Sequence, residues 1–187
     1  MGSSRRVVRI AVVALALVLT SCTSKPAPSA SPSTPPVTLR SLSPSPSDPS
    51  VSAVQAAVAS YRSMWQAYNA AVQVPDPNSP DLAKYATGTA LSTLVSGLRS
   101  VKDRGLKGTG QIVLAPQVTE ISPTTAPTKV AIKDCFDDSA THLIRVGPGS
   151  PYNDTPGGRR LCLATVELQS DKSWKVTTFG LRGVGTC

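Results

Sequence analysis

Four cysteines could carry covalent chemistry in this chain of 187 residues. Cys22 follows a basic and then apolar N-terminus, whereas Cys135, Cys162 and Cys187 lie in the second half of the chain. A thiol can be acylated, can be oxidised to a disulfide, or can act as a nucleophile where its pKa is lowered. The sequence has neither a papain-like cysteine context nor a Gly-x-Ser-x-Gly elbow, so it indicates no catalytic nucleophile.

Residues 1–21 have the three parts of a secretory signal: three arginines without an acid, a short apolar run, and small residues before Cys22. The apolar run, residues 10–19, is shorter than the ~20 residues that a membrane span needs. Residues 19–22, Leu-Thr-Ser-Cys, resemble the bacterial lipobox, in which the thiol takes a diacylglycerol and cleavage falls just before the cysteine. We therefore predict lipidation of Cys22 and an anchor on the extracytoplasmic face of the cell membrane. An ordinary cleaved signal with a cysteine nearby is the alternative.

Residues 22–47 are predicted to form a disordered tether. Beyond Cys22 the segment is nearly all Ser, Pro, Thr and Ala, and it has no aromatic residue, so it cannot bury enough apolar surface to fold. After removal of the signal, 16 basic residues would face 11 acidic ones, a net charge of about +5. This modest charge, spread over an exported chain, does not indicate a nucleic-acid partner.

Residues 48–187 are predicted to form one domain that begins with three helices. Asp48-Pro49 is a capping residue followed by proline at the first helical position, and apolar residues then recur at spacings of three and four as far as Val72. A second cap and proline at Ser79-Pro80 start a short helix, and a third helix covers about 87–104. Gly105 is predicted to end that helix.

The second half of the domain is predicted to be a sheet. Residues 111–121 and 128–136 alternate and are rich in Val and Ile, and 160–169 and 173–181 form a hairpin. A weak strand at 141–146 precedes a loop rich in Gly and Pro. The predicted fold class is α+β, with three N-terminal helices packed on a curved antiparallel sheet.

This pattern resembles the nuclear transport factor 2-like superfamily, with its cystatin-like cone, and in particular lipoproteins of high-GC Gram-positive bacteria that carry such a domain. The residues that carry the resemblance are Tyr61, Tyr68, the connection from Pro75-Asp76-Pro77 to Tyr85-Ala86-Thr87-Gly88, the segment 134–139 (Asp-Cys-Phe-Asp-Asp-Ser), Trp174-Lys175-Val176 and the terminal Gly-x-Cys. The resemblance covers most of 48–187. It implies a fold with a cavity, and it does not imply one activity.

The three cysteines of the domain allow at most one internal disulfide and leave one thiol. The resemblance implies Cys135–Cys187. Strand geometry offers Cys135–Cys162 as a rival, if the strands 128–136 and 160–169 pair with those cysteines opposite each other. Loop entropy differs by only about 1 kcal/mol between the pairings and cannot choose. The remaining thiol, Cys162 under the first pairing, is interpreted as a small buried apolar residue.

The aromatic residues of the first helix are the candidate ligand contacts. In cone-shaped domains the long helix lines the cavity, so the candidate cavity-lining residues are Tyr61, Trp65, Tyr68 and Asp134. A stripe of this kind also forms the core of any amphipathic helix. The sequence indicates no cofactor and no metal, since His142 is the one histidine and no ligand cluster accompanies it.

The favoured hypothesis is a non-catalytic, lipid-anchored binding or accessory module of the cell envelope. Its partners would be the membrane, through the lipid, and an envelope protein, a polymer or a small apolar ligand. One alternative is an isomerase- or hydrolase-like enzyme that uses Asp134 with Tyr61 or Tyr68, as ketosteroid isomerase-like members use a buried Asp as base. Another is a purely structural protein of envelope assembly.

Overall fold

A computed structural model describes residues 48–155 and 157–187. The predicted signal peptide, the lipidated Cys22 and the tether of residues 22–47 lie outside the described residues. Within the described ranges, no helix is long and apolar enough to cross a membrane.

Three helices open the described part of the chain. Helix α1 covers Pro49–Gln73, α2 covers Pro80–Tyr85 and α3 covers Gly88–Asp103. The Asp48 side chain accepts a hydrogen bond from the Ser50 backbone N–H at 2.8 Å, which caps the first turn of α1. The buried face of α1 centres on Ala57, Tyr61, Met64 and Trp65. Helices α1 and α2 thus begin at Pro49 and Pro80, where the sequence predicts them to begin.

Six strands follow, in two antiparallel sheets. They are β1 (Leu106–Thr109), β2 (Gln117–Ser122), β3 (Lys129–Asp137), β4 (His142–Arg145), β5 (Arg159–Leu168) and β6 (Trp174–Leu181). The four-stranded sheet has the order β2-β3-β5-β6, and β1 pairs with β4 in a separate two-stranded sheet. The α+β prediction of helices packed on antiparallel strands is confirmed.

The core lies between the helices and the inner face of the larger sheet. Buried side chains from all three helices meet those of β3, β5 and β6 in one cluster. On β3 the inward residues are Val130, Ile132, Asp134 and Phe136. Two ladder irregularities, between Val118 and Glu120 and between Thr165 and Val166, are bulges of the kind that bend strands.

The predicted strand 111–121 is wrong in its first half, and one strand was not predicted. Residues 111–116 are not a strand, apart from a bridge between Val113 and Asp137. Ala115 donates its N–H to the Asp134 side chain and Pro116 has no N–H, so neither can donate to a ladder. Strand β1 was not predicted; its close packing on α1 explains its glycine, because a Cβ at Gly108 would lie 2.7 Å from Val72 Cγ1.

Candidate functional site

A cavity of about 660 Å³ lies where β3 ends and β5 begins, beneath α1 and α3. This volume falls in the usual range for small-molecule sites, about 300–1,000 Å³. The strand register explains its position. Phe136 on β3 faces Arg160 on β5, and this pair lines the cavity, whereas the next inward pair, Asp134 and Cys162, is sealed in the core.

Aromatic side chains form the apolar part of the wall. Trp65 is at the centre of the group, with ring centroids 4.6 Å from Phe136 and 5.0 Å from Phe179. Tyr68 stands edge-on to Trp65 at 6.0 Å, and burial raises the pKa of its phenol. The Trp65–Tyr68 and Trp65–Phe179 pairs are edge-to-face and the Trp65–Phe136 pair is tilted. Edge-to-face aromatic pairs contribute about 0.5–1.5 kcal/mol each beyond burial.

The opposite part of the wall is polar. Arg160 lies 3.1 Å from Asp138, and the same Asp138 oxygen accepts the backbone N–H of Gly158 at 2.7 Å. His142 Nδ1 lies 3.5 Å from Asp154, which also accepts the N–H of Leu143. Asp138 and Asp154 therefore each accept a hydrogen bond from a backbone N–H and also lie next to a basic side chain. The cavity thus has an apolar side and a hydrogen-bonding side.

Two buried donors on this wall have no hydrogen-bond partner within residues 48–155 and 157–187. They are Trp65 Nε1 and Arg160 Nε. Trp65 is 3% exposed, so bulk water does not supply the missing acceptor. An unsatisfied buried donor costs about 1–3 kcal/mol, and more when it is charged. Both residues neighbour Phe136, whose ring contacts Trp65 and whose strand position is opposite Arg160.

Tyr61 and Asp134, which were also expected in the cavity wall, do not belong to its described lining. Both are fully buried beneath it. The Tyr61 hydroxyl donates to Asp134 Oδ2 at 2.8 Å, and the N–H of Ala115 donates to Oδ1. Each carboxylate oxygen therefore has a donor within the core. Trp65 and Tyr68 do lie in the wall.

Cys162 completes this buried polar cluster. It lies opposite Asp134 in the register of β3 and β5 and is fully buried. Burial raises the pKa of its thiol to about 11. Burial, and next the neighbouring Cys162, raise the pKa of the Tyr61 phenol well above its ordinary value. At neutral pH both groups stay protonated, so they hold the core together and offer no nucleophile.

The disulfide is Cys135–Cys187, as the resemblance implied, and it closes a separation of 52 residues. The rival Cys135–Cys162 pairing is wrong because of the pleat. Cys135 faces Leu161 and points to the outer face of the sheet, whereas Cys162 is opposite Asp134 on the inner face. Among the three cysteines that the structure describes, Cys162 is the free one.

The described residues on the polar side of the wall form no cluster suited to a metal ion. Across the described ranges, no group of three His, Cys, Asp or Glu side chains converges. Sequence reasoning missed Phe136, Phe179 and Arg160 as wall residues. The signal that could have found Arg160 is its place in β5 two residues before Cys162, on the inward alternation of that strand.

The fold and the cavity together define an α+β domain with an aromatic-walled, ligand-sized hollow at the end of its larger sheet. No family profile matches the chain. No curated protein matches it either.

Two solved structures show a low similarity to this chain. One is the intermembrane space region of the chloroplast protein ARC6, at 13% identity and a TM-score of 0.49, covering 68% of this chain and 94% of that one. The other is a ketosteroid isomerase-like protein from Erwinia carotovora atroseptica, at 14% identity and a TM-score of 0.37, covering 67% and 91%. At these values the likenesses carry no functional argument, and the fold stands on the elements and registers described above.

Proposed function

We propose that this chain is a lipid-anchored, extracytoplasmic binding module that holds a small, largely apolar molecule in the cavity and does not catalyse its conversion. The observation that carries the proposal is the hollow of about 660 Å³ walled by Trp65, Tyr68, Phe136 and Phe179. Pockets that bind small molecules are concave and mostly apolar, with a few placed polar groups.

The position of the Tyr61–Asp134 pair supports binding over catalysis. A general base must come within about 3.2 Å of the proton that it removes. Asp134 is fully buried, both of its oxygens already accept hydrogen bonds, and it is outside the described cavity lining. A molecule in the cavity would meet aromatic rings and the Arg160–Asp138 side, with the candidate base behind them.

The location belongs to the same proposal and rests on the sequence. Residues 1–21 would be the signal, Cys22 the lipidated residue, and 22–47 the tether that lifts the domain from the membrane. Two or more acyl chains anchor a protein stably where one does not. The nuclear transport factor 2-like superfamily, which the sequence resembles, remains our proposal for the family of the domain.

Ligand binding is tested by stabilisation of the full chain in phospholipid nanodiscs against a panel of apolar envelope metabolites. A ligand at 100 times its Kd adds about 2.7 kcal/mol to the free energy of unfolding. Ser100 lines the cavity from α3, whereas Ser96 on the same helix does not, and both are exposed. Ser100→Trp should abolish the stabilisation, and Ser96→Trp should keep it. Stabilisation that survives Ser100→Trp would place binding elsewhere.

The anchor is tested by metabolic labelling with a clickable fatty acid. The wild-type chain and a Cys162→Ala variant should be labelled, and a Cys22→Ser variant should not. Mass spectrometry of the processed N-terminus then identifies the modified residue. An unmodified Cys22 in the mature protein would remove the anchor from the proposal and leave the cavity untouched.

A further inference from the structure

The net positive charge of the domain lies in two segments that pair with each other. Residues 99–107 form the last turns of α3 and the start of β1, and residues 142–146 form β4 and the residue after it. We call these two segments the basic end, and their basic residues are Arg99, Lys102, Arg104, Lys107 and Arg145. With Asp103 as their acid they carry a net charge of +4, whereas the rest of residues 48–187 has nine basic residues and ten acidic ones. The domain is therefore polarised, with its positive charge at the basic end.

Exposed aliphatic side chains share the outer face of this strand pair with a lysine. Lys107 is opposite Ile144 in the register, and residues that are directly opposite project to the same face. Val146 comes two residues after Ile144, and its N–H donates to the Gly105 carbonyl at 2.8 Å, which continues the pairing. Leu106 projects to the other face and is 1% exposed, so that face is the inner one. Ile144 is 40% exposed and Val146 55%.

Basic and aliphatic side chains on one face favour a lipid surface as the partner. In the described part of the chain, Arg99, Lys102 and Lys107 form no ion pair, so their charges are free to meet an anion. Anionic headgroups attract such charges, and aliphatic side chains enter the boundary below the headgroups. A soluble polyanion would engage the charges and leave Ile144 and Val146 in water. We propose that the basic end docks on an anionic phospholipid surface, with Ile144 and Val146 at the level of the headgroups.

The inference rests on the location in the proposed function, and the length of the predicted tether permits it. The tether would join the domain at Asp48, where α1 begins. Strand β1 packs through Gly108 on Val72, near the other end of this helix of 25 residues, which is about 36 Å away. Residues 22–47 would span roughly 30 Å as a coil and roughly 80 Å when extended. A chain attached through Cys22 can therefore turn its basic end towards the membrane.

Quenching of a tryptophan by brominated lipid tests the docking on the full chain. Val146→Trp places a reporter on the proposed face, and Ser170→Trp places one in the exposed turn between β5 and β6. The signal of the wild-type chain is subtracted from both. In brominated phosphatidylcholine vesicles, quenching at position 146 should rise when phosphatidylglycerol is added and should fall again at high salt. Quenching at 170 should not rise. Equal quenching at 146 in the two kinds of vesicle, or an equal rise at both positions, would overturn the proposal.

The contribution of the charge is tested in the Val146→Trp chain. The variant Lys102→Gln with Lys107→Gln removes two charges from the basic end. Its matched control, Lys129→Gln with Lys133→Gln, removes two charges from exposed positions of β3. The first variant should lower the ratio of docked to undocked chains about 25-fold, because each basic residue near an anionic surface contributes about fivefold. The control should change this ratio little. Equal effects of the two variants would overturn the role of the basic end.

The contribution of the aliphatic face separates a lipid surface from a soluble polyanion. Ile144→Ser should weaken docking about fivefold, the scale of burying half of an aliphatic side chain. Leu163→Ser is the control, since Leu163 is 43% exposed on the outer face of the larger sheet. The control should dock like wild type. No effect of Ile144→Ser, together with displacement from the vesicles by poly(glycerol phosphate), would overturn the choice of a lipid surface.

Hydrogen exchange on the unmutated chain keeps the proposal testable if a variant does not fold. Amides of residues 104–109 and 142–148 should exchange more slowly with phosphatidylglycerol vesicles than with phosphatidylcholine vesicles, and amides of 169–173 should not change. Equal exchange of the basic end in the two would overturn the docking. This failure would leave the proposed function standing, because Lys107, Ile144 and Val146 are not in the described cavity lining. Failure of the proposed ligand binding would show in the stabilisation measurements and not in these.

Discussion

The hydroxyl of Tyr61 on α1 lies 2.8 Å from the carboxylate of Asp134 on β3, and neither residue has measurable exposure. This hydrogen bond joins the first helix to the centre of the sheet across 73 residues of sequence. Buried polar pairs of this kind matter most when one partner is removed, because the other then loses both water and its partner.

Tyr61→Phe should therefore lower the free energy of unfolding by about 1–3 kcal/mol, since it leaves Asp134 Oδ2 without its donor. Tyr85→Phe is the matched control; Tyr85 is half-buried at the end of α2, and among the described residues no hydrogen bond from its side chain is present. The control should stay within about 0.5 kcal/mol of wild type. Urea denaturation at pH 7 measures both. Equal effects of the two variants would mean that the hydrogen bond contributes nothing.

The buried thiol of Cys162 should make stability fall at alkaline pH. The pKa of the thiol is raised from 9.0 to about 11 in the folded protein. The unfolded chain therefore releases this proton first, so the contribution is complete below pH 9 and is lost as the pH rises through 11. The loss is at most about 3 kcal/mol. Tyr61, whose pKa is also raised, adds to the fall in the same direction.

Denaturation curves from pH 7 to 11 for wild type and Cys162→Ala measure the thiol's share. The difference between the two should be constant below pH 9 and should shrink above it. As an independent check, the native protein at pH 8 should react with a thiol reagent far more slowly than the unfolded protein does. A native rate equal to that of a free cysteine would contradict the burial of Cys162.

The disulfide should contribute substantially to stability. Closing a loop of 52 residues lowers the entropy of the unfolded chain by the equivalent of about 4 kcal/mol. The double variant Cys135→Ser with Cys187→Ser should lose stability on that scale, measured by urea denaturation under non-reducing conditions. Peptide mapping of Cys162→Ala should still find the Cys135–Cys187 link. A link that involves Cys162 in the wild type would contradict the register of β3 and β5.

Gly110 should tolerate no side chain. Its φ is +82°, and a Cβ there would overlap the backbone carbonyl oxygen of Ala140. Gly110→Ala should therefore cost more than about 2 kcal/mol, because both the backbone conformation and the neighbouring turn must shift. Gly183→Ala is the control, since a Cβ at Gly183 meets nothing within 4 Å. It should change thermal stability little. A small effect of Gly110→Ala would mean that the turn at Ala140 yields easily.

The helices could be predicted from the sequence because their signals are local. Asp48-Pro49 and Ser79-Pro80 mark the starts of α1 and α2 within two residues of chain. Strand β1 has no such signal. It is four residues long, it pairs with β4 some 30 residues later, and its glycine is explained only by contact with Val72. Such a strand depends on tertiary packing, and its own residues do not specify it.

The site was predictable only in part, for a related reason. The spacing of Trp65 and Tyr68 on α1 places them on an inward face, and they lie in the cavity wall. The same spacing includes Tyr61, and only the register of β3 against β5 separates a wall position from a sealed one. Arg160 was missed because a charged residue on a strand is ordinarily assigned to the solvent face.

The pleat between Cys135 and Cys162 has a consequence for oxidative folding. Once β3 and β5 align, these two sulfurs look away from each other through the thickness of the sheet. A chain with a Cys135–Cys162 disulfide could not pair β3 with β5 in the native register. Pairing of β3 with β5 therefore selects against the Cys135–Cys162 disulfide. A chain that carries this disulfide must exchange it before the sheet can form.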